Sequence, residues 1–443
     1  MRRIRKLLPL LVVVAGATEA GDDPVGTVVD RVAGHEAEHC HDERCEGGGG
    51  ESGASIPSVG ARSCVDGRAG PFSCNRVDLR AFVAVAELGG GSGNDVWGWT
   101  DPATGSEYAV MGRSTGTSFV DVTIADDPVY LGELPARGGA SIWRDVKIHG
   151  DHAYVVSEAP GHGLVIFDLR RLAAVESTPA VFSQSARWGG FGNAHNLFIE
   201  EETGFAYVVG SRQCDGGLLI VDLERPRAPR RAGCFADDGY THDVYCHVYS
   251  GPDTEHLGKE ICYASNEDTL TVVDVTDKTA PVMLARAGYD GASYTHQAWI
   301  TGNHRWLLVG DELDEFELGV GTTTYVFSLL DLDAPRLRTV HEAPTAAIDH
   351  NQYVVGKWTF QANYTAGLRI LALDQVGQGR VCEIGHFDVF PADDHPTFDG
   401  AWSVYPFFDS GTVLVSSFEG LAVLRPRLGG LGCAQVCAGG ACG

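Results

Sequence analysis

Four histidines, His195, His242, His296 and His350, open successive alternating runs at intervals of 47 to 54 residues. The runs read His195-Asn196-Leu197-Phe198, His242-Asp243-Val244-Tyr245, His296-Gln297-Ala298-Trp299 and His350-Asn351-Gln352-Tyr353. Neutral imidazole is a good donor to Zn²⁺ and its neighbours, so side chains recurring this way could hold Zn²⁺, Cu²⁺, Mn²⁺ or Fe²⁺. Ca²⁺ would take carboxylates alone. Protonation removes the lone pair, so such a site is expected to weaken as pH falls toward about 6. A histidine repeated at one position can equally be a structural pin, hydrogen-bonding one unit to the next. Against a pin needed by every unit, the same position holds Asn94, Arg144 and Trp402 in the first, second and seventh units.

The elements that must bring these residues together are short strands. The stretch from 240 to 288 contains four runs rich in Val, Ile, Leu and Tyr, too brief for helices and well suited to strands. One such unit of about 49 residues has the size of a propeller blade. Laid side by side from Asn94 to Tyr405, seven opening strands recur at intervals of 47 to 54 residues. Second strands end in a small residue: Gly112, Ser157, Gly210, Ser265, Gly310, Ala362 and Ser416. Third strands end in Asp121, Asp168, Asp222 and Asp274, with Ser328 and Ala372 in the drifting fifth and sixth units. The expected fold is all-β: a seven-bladed β-propeller of four-stranded blades. An N-terminal strand, Phe82 to Leu88, is expected to close it beside Leu421 to Leu424. A blade has two apolar faces and needs a neighbour on each, which a closed ring supplies.

In a propeller the turn into the innermost strand and the loop between the second and third strands share one end of the axis. That places the histidines at a channel mouth with Arg144, Asp145, Glu158, Asn266, Glu267, Asp311, Glu312, Asn363 and Trp402 as candidate ligand-binding residues. Trp97, Trp99 and Trp402 could stack there on a sugar ring or a peptide. Asp311-Glu312-Leu313-Asp314-Glu315 suggests a cation site but lacks the spacing of an EF-hand, and a solvated acidic loop is the alternative.

Residues 1 to 17 read as a secretory signal: Arg2, Arg3, Arg5 and Lys6, the apolar run Leu7 to Val14, then Ala15-Gly16-Ala17, with cleavage there or as late as residue 20. The apolar run is too short to span a bilayer, and no later segment is long enough, so no transmembrane segment is expected. The chain is expected to be exported, whether secreted, periplasmic or at the cell surface. Residues 18 to 63, Gly- and acid-rich, read as a flexible leader; its His35, His39, Cys40, His41 and Cys45 could bind a soft metal or do nothing. The propeller is expected over 64 to 426 and a Gly/Cys-rich tail over 427 to 443. A formal charge of −26 makes nucleic acid and anionic membranes poor partners. Twelve cysteines in an exported chain imply bridges. Local pairs are Cys64 with Cys74, Cys214 with Cys234 and Cys246 with Cys262, while Cys382, Cys433, Cys437 and Cys442 cannot be paired from sequence.

The strings Leu218-Leu219-Ile220-Val221-Asp222 and Leu270-Thr271-Val272-Val273-Asp274 are similar to the LVIVD repeat. Together with Asn94-Asp95-Val96-Trp97, Gly192-Asn193-Ala194-His195-Asn196, Tyr240-Thr241-His242-Asp243 and Asp349-His350-Asn351, they make roughly 64 to 426 resemble the bacterial exported family called choice-of-anchor B. The resemblance implies an extracytoplasmic, propeller-like repeat protein without an established reaction. Gly89 to Gly93 lacks the Lys-Ser/Thr of a phosphate loop. Two function classes follow. The first is a binding module for a protein, a glycan or a small molecule, with a divalent metal at its mouth. The second is a metal-dependent extracytoplasmic hydrolase or oxidoreductase.

Overall fold

The computed structural model describes residues 56–437. The signal segment, Cys40, Cys45 and Cys442 lie outside the described residues, as does most of the leader. Seven sheets, each built on four antiparallel strands, are arranged as a propeller. The innermost strands are Gly93–Thr100, Arg144–His149, Asn196–Glu200, Asp243–Val248, Thr295–Ile300, Asn351–Val355 and Ala401–Tyr405. Each touches the next, and the last touches the first. We number the blades one to seven in that order.

Apolar residues alternate on both sides of each sheet, so the core lies between blades. Phe198, Tyr207, Val209 and Ile220 of blade three pack on Val244, Cys246, Cys262 and Val273 of blade four. Ile261, Tyr263 and Val272 of blade four turn their other face to Ile300, Leu307, Val309 and Phe327 of blade five. Each such side chain, fully withdrawn from water, contributes about 1.5–3 kcal/mol.

The aspartate that ends the third strands stops them by a local device. Backbone N–H groups two residues on donate to Asp121 Oδ1 at 2.9 Å, Asp222 Oδ1 at 2.8 Å and Asp274 Oδ1 at 3.0 Å. Each is an Asx turn that satisfies a donor the strand would leave unpaired. The second blade does the same at Asp168.

The expected strand over 82–88 lies earlier in the chain. Val77–Ala84 is the strand and Val85–Leu88 is a 3₁₀ turn. Val77–Ala84 pairs with Gly420–Pro426 as the fourth strand of blade seven. Order also begins before Cys64: Val59–Arg62, read from sequence as leader, adds a further strand outside Val77–Ala84. The three expected disulfides form, and Cys382 pairs with Cys433 as a fourth, fastening the tail to the outer strand of blade six. Four bridges fit an oxidising, extracytoplasmic compartment. No helix among the described residues is long and apolar enough to cross a membrane.

The axis is not an open channel. The residue three places after each histidine position points inward, giving Trp97, Lys147, Phe198, Tyr245, Trp299, Tyr353 and Tyr405, and Phe407 joins them. Trp299 stands 4.3 Å from Tyr245 and 4.9 Å from Tyr353, and Trp97 stands 5.3 Å from Tyr405, ring centre to ring centre. These contacts plug the middle of the ring. A ligand entering from the histidine end therefore goes no deeper than the mouth above the plug.

Candidate metal centre at the axial mouth

The four histidines meet. Ring centroids are 4.3 Å apart for His195 and His242, 4.2 Å for His242 and His296, and 4.4 Å for His296 and His350. Trp402 continues the arc, 5.0 Å from His350. They sit at the start of successive inner strands, and the small residues ending the second strands make room for them. A Cβ at Gly210, already at φ +63°, would lie 2.5 Å from the His195 Cβ. One at Gly310 would lie 1.9 Å from Asp349 Oδ2.

The Nδ1 atoms of three of these rings have identified partners. His242 Nδ1 lies 3.1 Å from the His296 carbonyl oxygen and His350 Nδ1 lies 2.5 Å from that of Trp402. A carbonyl only accepts, so in both rings Nδ1 carries the proton and Nε2 keeps its lone pair. His195 Nδ1 faces Glu158 Oε1 at 2.6 Å. His296 lies against the His350 backbone. The histidines thus do link blade to blade, and the same links fix ring orientation as outer-shell partners do around a metal.

Glu312 faces the other side of two rings. Its Oε2 is 3.5 Å from His296 Nε2 and its Oε1 is 3.6 Å from His350 Nε2, while Oε1 also accepts from Tyr364 Oη at 2.8 Å. Donor atoms on His242, His296 and Glu312 all lie within 4.8 Å of one another. Burial holds His242 and His296 well below the usual imidazole range and His350 down at about 4. Neutral rings with fixed lone pairs beside a carboxylate are the donor set of Zn²⁺, Fe²⁺, Mn²⁺ or Cu²⁺.

The mouth itself is a small hollow lined by Trp143, Arg144, Asp145, Asn196, Asn351, Trp402 and the histidines. Arg144 Nε donates to the Arg113 carbonyl at 3.0 Å and Nη1 to His162 Nε2 at 2.9 Å, while Nη2 has no hydrogen-bond partner. Burial, with Arg113 nearby, lowers its pKa to about 10, so it stays charged at neutral pH. Beneath the mouth, Lys147 Nζ bridges Asp95 and Asp145, and these carboxylates also accept the Val146 and Leu197 amides at 3.0 and 2.9 Å.

Several expected residues lie elsewhere. Asn266 ties Thr241 to Asp238 in the segment that leads into blade four, and Asn363 bonds Gln361. Asp311 accepts from Tyr289 Oη and the Ser293 and Tyr294 amides, a loop brace. Glu267 is buried, and desolvation pushes it up to about 7. Trp97 belongs to the axial plug and Trp99 stacks on Tyr108, so of the three tryptophans offered for stacking Trp402 alone lines the mouth. Asp95 and Lys147 beneath the mouth were missed, as were Tyr364 and Asp349, whereas Asp145 was expected there. The first had a signal, because Asp95, Asp145, Asn196, Asp243, Gln297, Asn351 and Ser403 all follow the histidine position by one. Near Glu312, desolvation and mutual repulsion push Asp314 up to about 7, Glu315 up to about 12 and Asp349 well above the carboxylate range.

Two stretches match the LVIVD repeat family model, 141–180 and 258–287. They cover part of blades two and four, so the chain is a propeller carrying LVIVD repeats. No curated protein matches it. Among solved structures, one similar in fold is a protein from Lactobacillus plantarum determined by a structural genomics consortium, 12% identical, with a TM-score of 0.47. The match covers 73% of this chain and 87% of that one.

Proposed function

We propose that this propeller is an extracytoplasmic binding module whose axial mouth carries a divalent transition metal, and that it takes small anionic ligands there. The observation that carries the reading is Glu312 between His296 Nε2 and His350 Nε2, at 3.5 and 3.6 Å. Those separations exceed a hydrogen bond. Two ligands of one tetrahedral ion at about 2.1 Å stand about 3.4 Å apart, close to what is seen. In His350, with Nδ1 donating to Trp402, a neutral ring would otherwise point a lone pair at a carboxylate. A cation between them removes that repulsion.

Arg144 supports the ligand class. Its unpartnered Nη2 at the same mouth suits a carboxylate or oxyanion bound on the metal. The resemblance to the choice-of-anchor B family and the four disulfides support an extracytoplasmic setting. A catalytic reading draws on Glu158 at 2.6 Å from His195 Nδ1, a carboxylate–imidazole pair able to move a proton beside a metal-bound water.

Elemental analysis of the purified mature protein tests the centre. One Zn²⁺, Fe²⁺, Mn²⁺ or Cu²⁺ per chain, lost in His296→Ala, is the expected result. Protein that takes up none of them stoichiometrically would leave the histidines as inter-blade pins and end both readings.

A further inference from the structure

A second group of buried donors lies beside the histidine centre and is chemically different from it. Asp314 and Glu315 begin the short helix Asp314–Leu318, in the loop after the second strand of blade five. Asp349 precedes the inner strand of blade six. One carboxylate oxygen from each of the three lies within 4.8 Å of the others. Their exposures are 0%, 2% and 3%, so bulk water does not solvate them.

Each carboxylate is gripped on one oxygen by a neutral donor. Tyr325 Oη donates to Asp314 Oδ2 at 2.8 Å, the Thr323 amide to Glu315 Oε1 at 3.1 Å and the Asp311 amide to Asp349 Oδ1 at 3.2 Å. The opposite oxygens, Asp314 Oδ1 and Glu315 Oε2, are buried and receive no N–H or O–H from any other residue, and the two carboxyl groups lie within hydrogen-bonding reach of each other. A buried carboxylate oxygen without a partner costs several kcal/mol. Such oxygens persist only if shared protons or a cation complete them.

We propose that Asp314, Glu315 and Asp349 form a second cation site, for a hard divalent ion of the calcium class, which joins blade five to blade six. The set offers oxygen only, with no imidazole or thiolate, and three carboxylates are more charge than Mg²⁺ usually draws from protein. Backbone oxygens and waters would complete the shell. Asp349 adjoins His350, so the ion also steadies the start of the strand that presents that ring. The site is independent of the histidine centre: either can hold without the other.

Terbium luminescence of the mature protein, stripped with a chelator, tests it. Tyr325, bonded to Asp314, is placed to sensitise Tb³⁺ emission. One tight Tb³⁺ per chain is expected, displaced by Ca²⁺, with emission falling several-fold in Tyr325→Phe at unchanged stoichiometry. Excess Ca²⁺ should raise Tm by about 2–5 °C. Asp314→Asn with Glu315→Gln should weaken Tb³⁺ at least about 100-fold, and His242→Ala should leave it unchanged. If the double variant does not fold, the wild-type and Tyr325→Phe titrations decide alone. A protein without a tight Tb³⁺ site, or one whose Tm ignores both Ca²⁺ and chelator, overturns the proposal and assigns shared protons to the cluster. Emission indifferent to Tyr325→Phe overturns the location.

Discussion

Glu312 Oε1 stands 3.6 Å from His350 Nε2, while the opposite nitrogen of that ring is bonded to the Trp402 carbonyl. Glu312 belongs to the loop of blade five, His350 to the entry of blade six and Trp402 to blade seven, so three blades fix one ring. That is the preorganisation a metal site needs, with the polar partners of each ring supplied by its neighbour.

Replacing one ring should separate metal affinity from folding. His242→Ala is expected to lower affinity for Zn²⁺ by about 100-fold or more while costing about 1–3 kcal/mol of stability for the hydrogen bond and cavity. Competition with a chromophoric chelator and a chemical melt measure the two effects. Unchanged metal affinity would exclude His242 as a ligand.

The pH at which the site fails follows from burial. An ordinary histidine titrates near 6.5, whereas His350 is held down at about 4. Between those values the unfolded chain binds a proton that the folded one refuses, so stability rises with pH across that window and is full above about 6.5. For His350 alone the loss on acidification to pH 4 is on the order of 3 kcal/mol. Metal binding should persist below the pH of about 6 expected for exposed rings and fail nearer 4 to 5. Parallel metal and thermal titrations from pH 8 to pH 4 check both.

Lys147 should be indispensable while its partners are charged. It lies between Asp95 and Asp145, all three nearly inaccessible, and those charges hold its pKa well above the usual lysine range against the cost of burial. Lys147→Met leaves two buried carboxylates without a cation and should cost about 3–5 kcal/mol. Adding Asp145→Asn should recover part of that loss. Additive effects in the double-mutant cycle would refute the coupling.

The fourth disulfide can be tested by removing it. Cys382 and Cys433 close a loop of 51 residues, so Cys382→Ser with Cys433→Ser should cost about 2–4 kcal/mol in denaturant unfolding. Non-reducing peptide maps of wild-type protein should show all four pairs.

The fold was legible because its signals are local and repeated. Short strands at blade spacing, the aspartate ending the third strands and the small residue ending the second recur with the same job each time: an Asx turn at Asp222, space for His195 at Gly210. The cysteines of blade four face each other on adjacent strands, Cys246 opposite Cys262, and strand pairing alone brought them together.

Sequence by itself determined the blade count and the presence of histidines at one repeat position, since periodicity survives without coordinates. It also placed them on one face, because every inner strand runs the same way. Only the tertiary structure decided what surrounds them. Cys382 meets Cys433, Glu312 meets His296 and His350, and Asp349 meets Asp314 and Glu315 through ring closure and loop conformation, which no repeat pattern encodes. The axial plug shows the division most plainly: its residues share one repeat position, but whether seven inward side chains leave a channel depends on how closely the strands approach. Packing around the axis sets that distance.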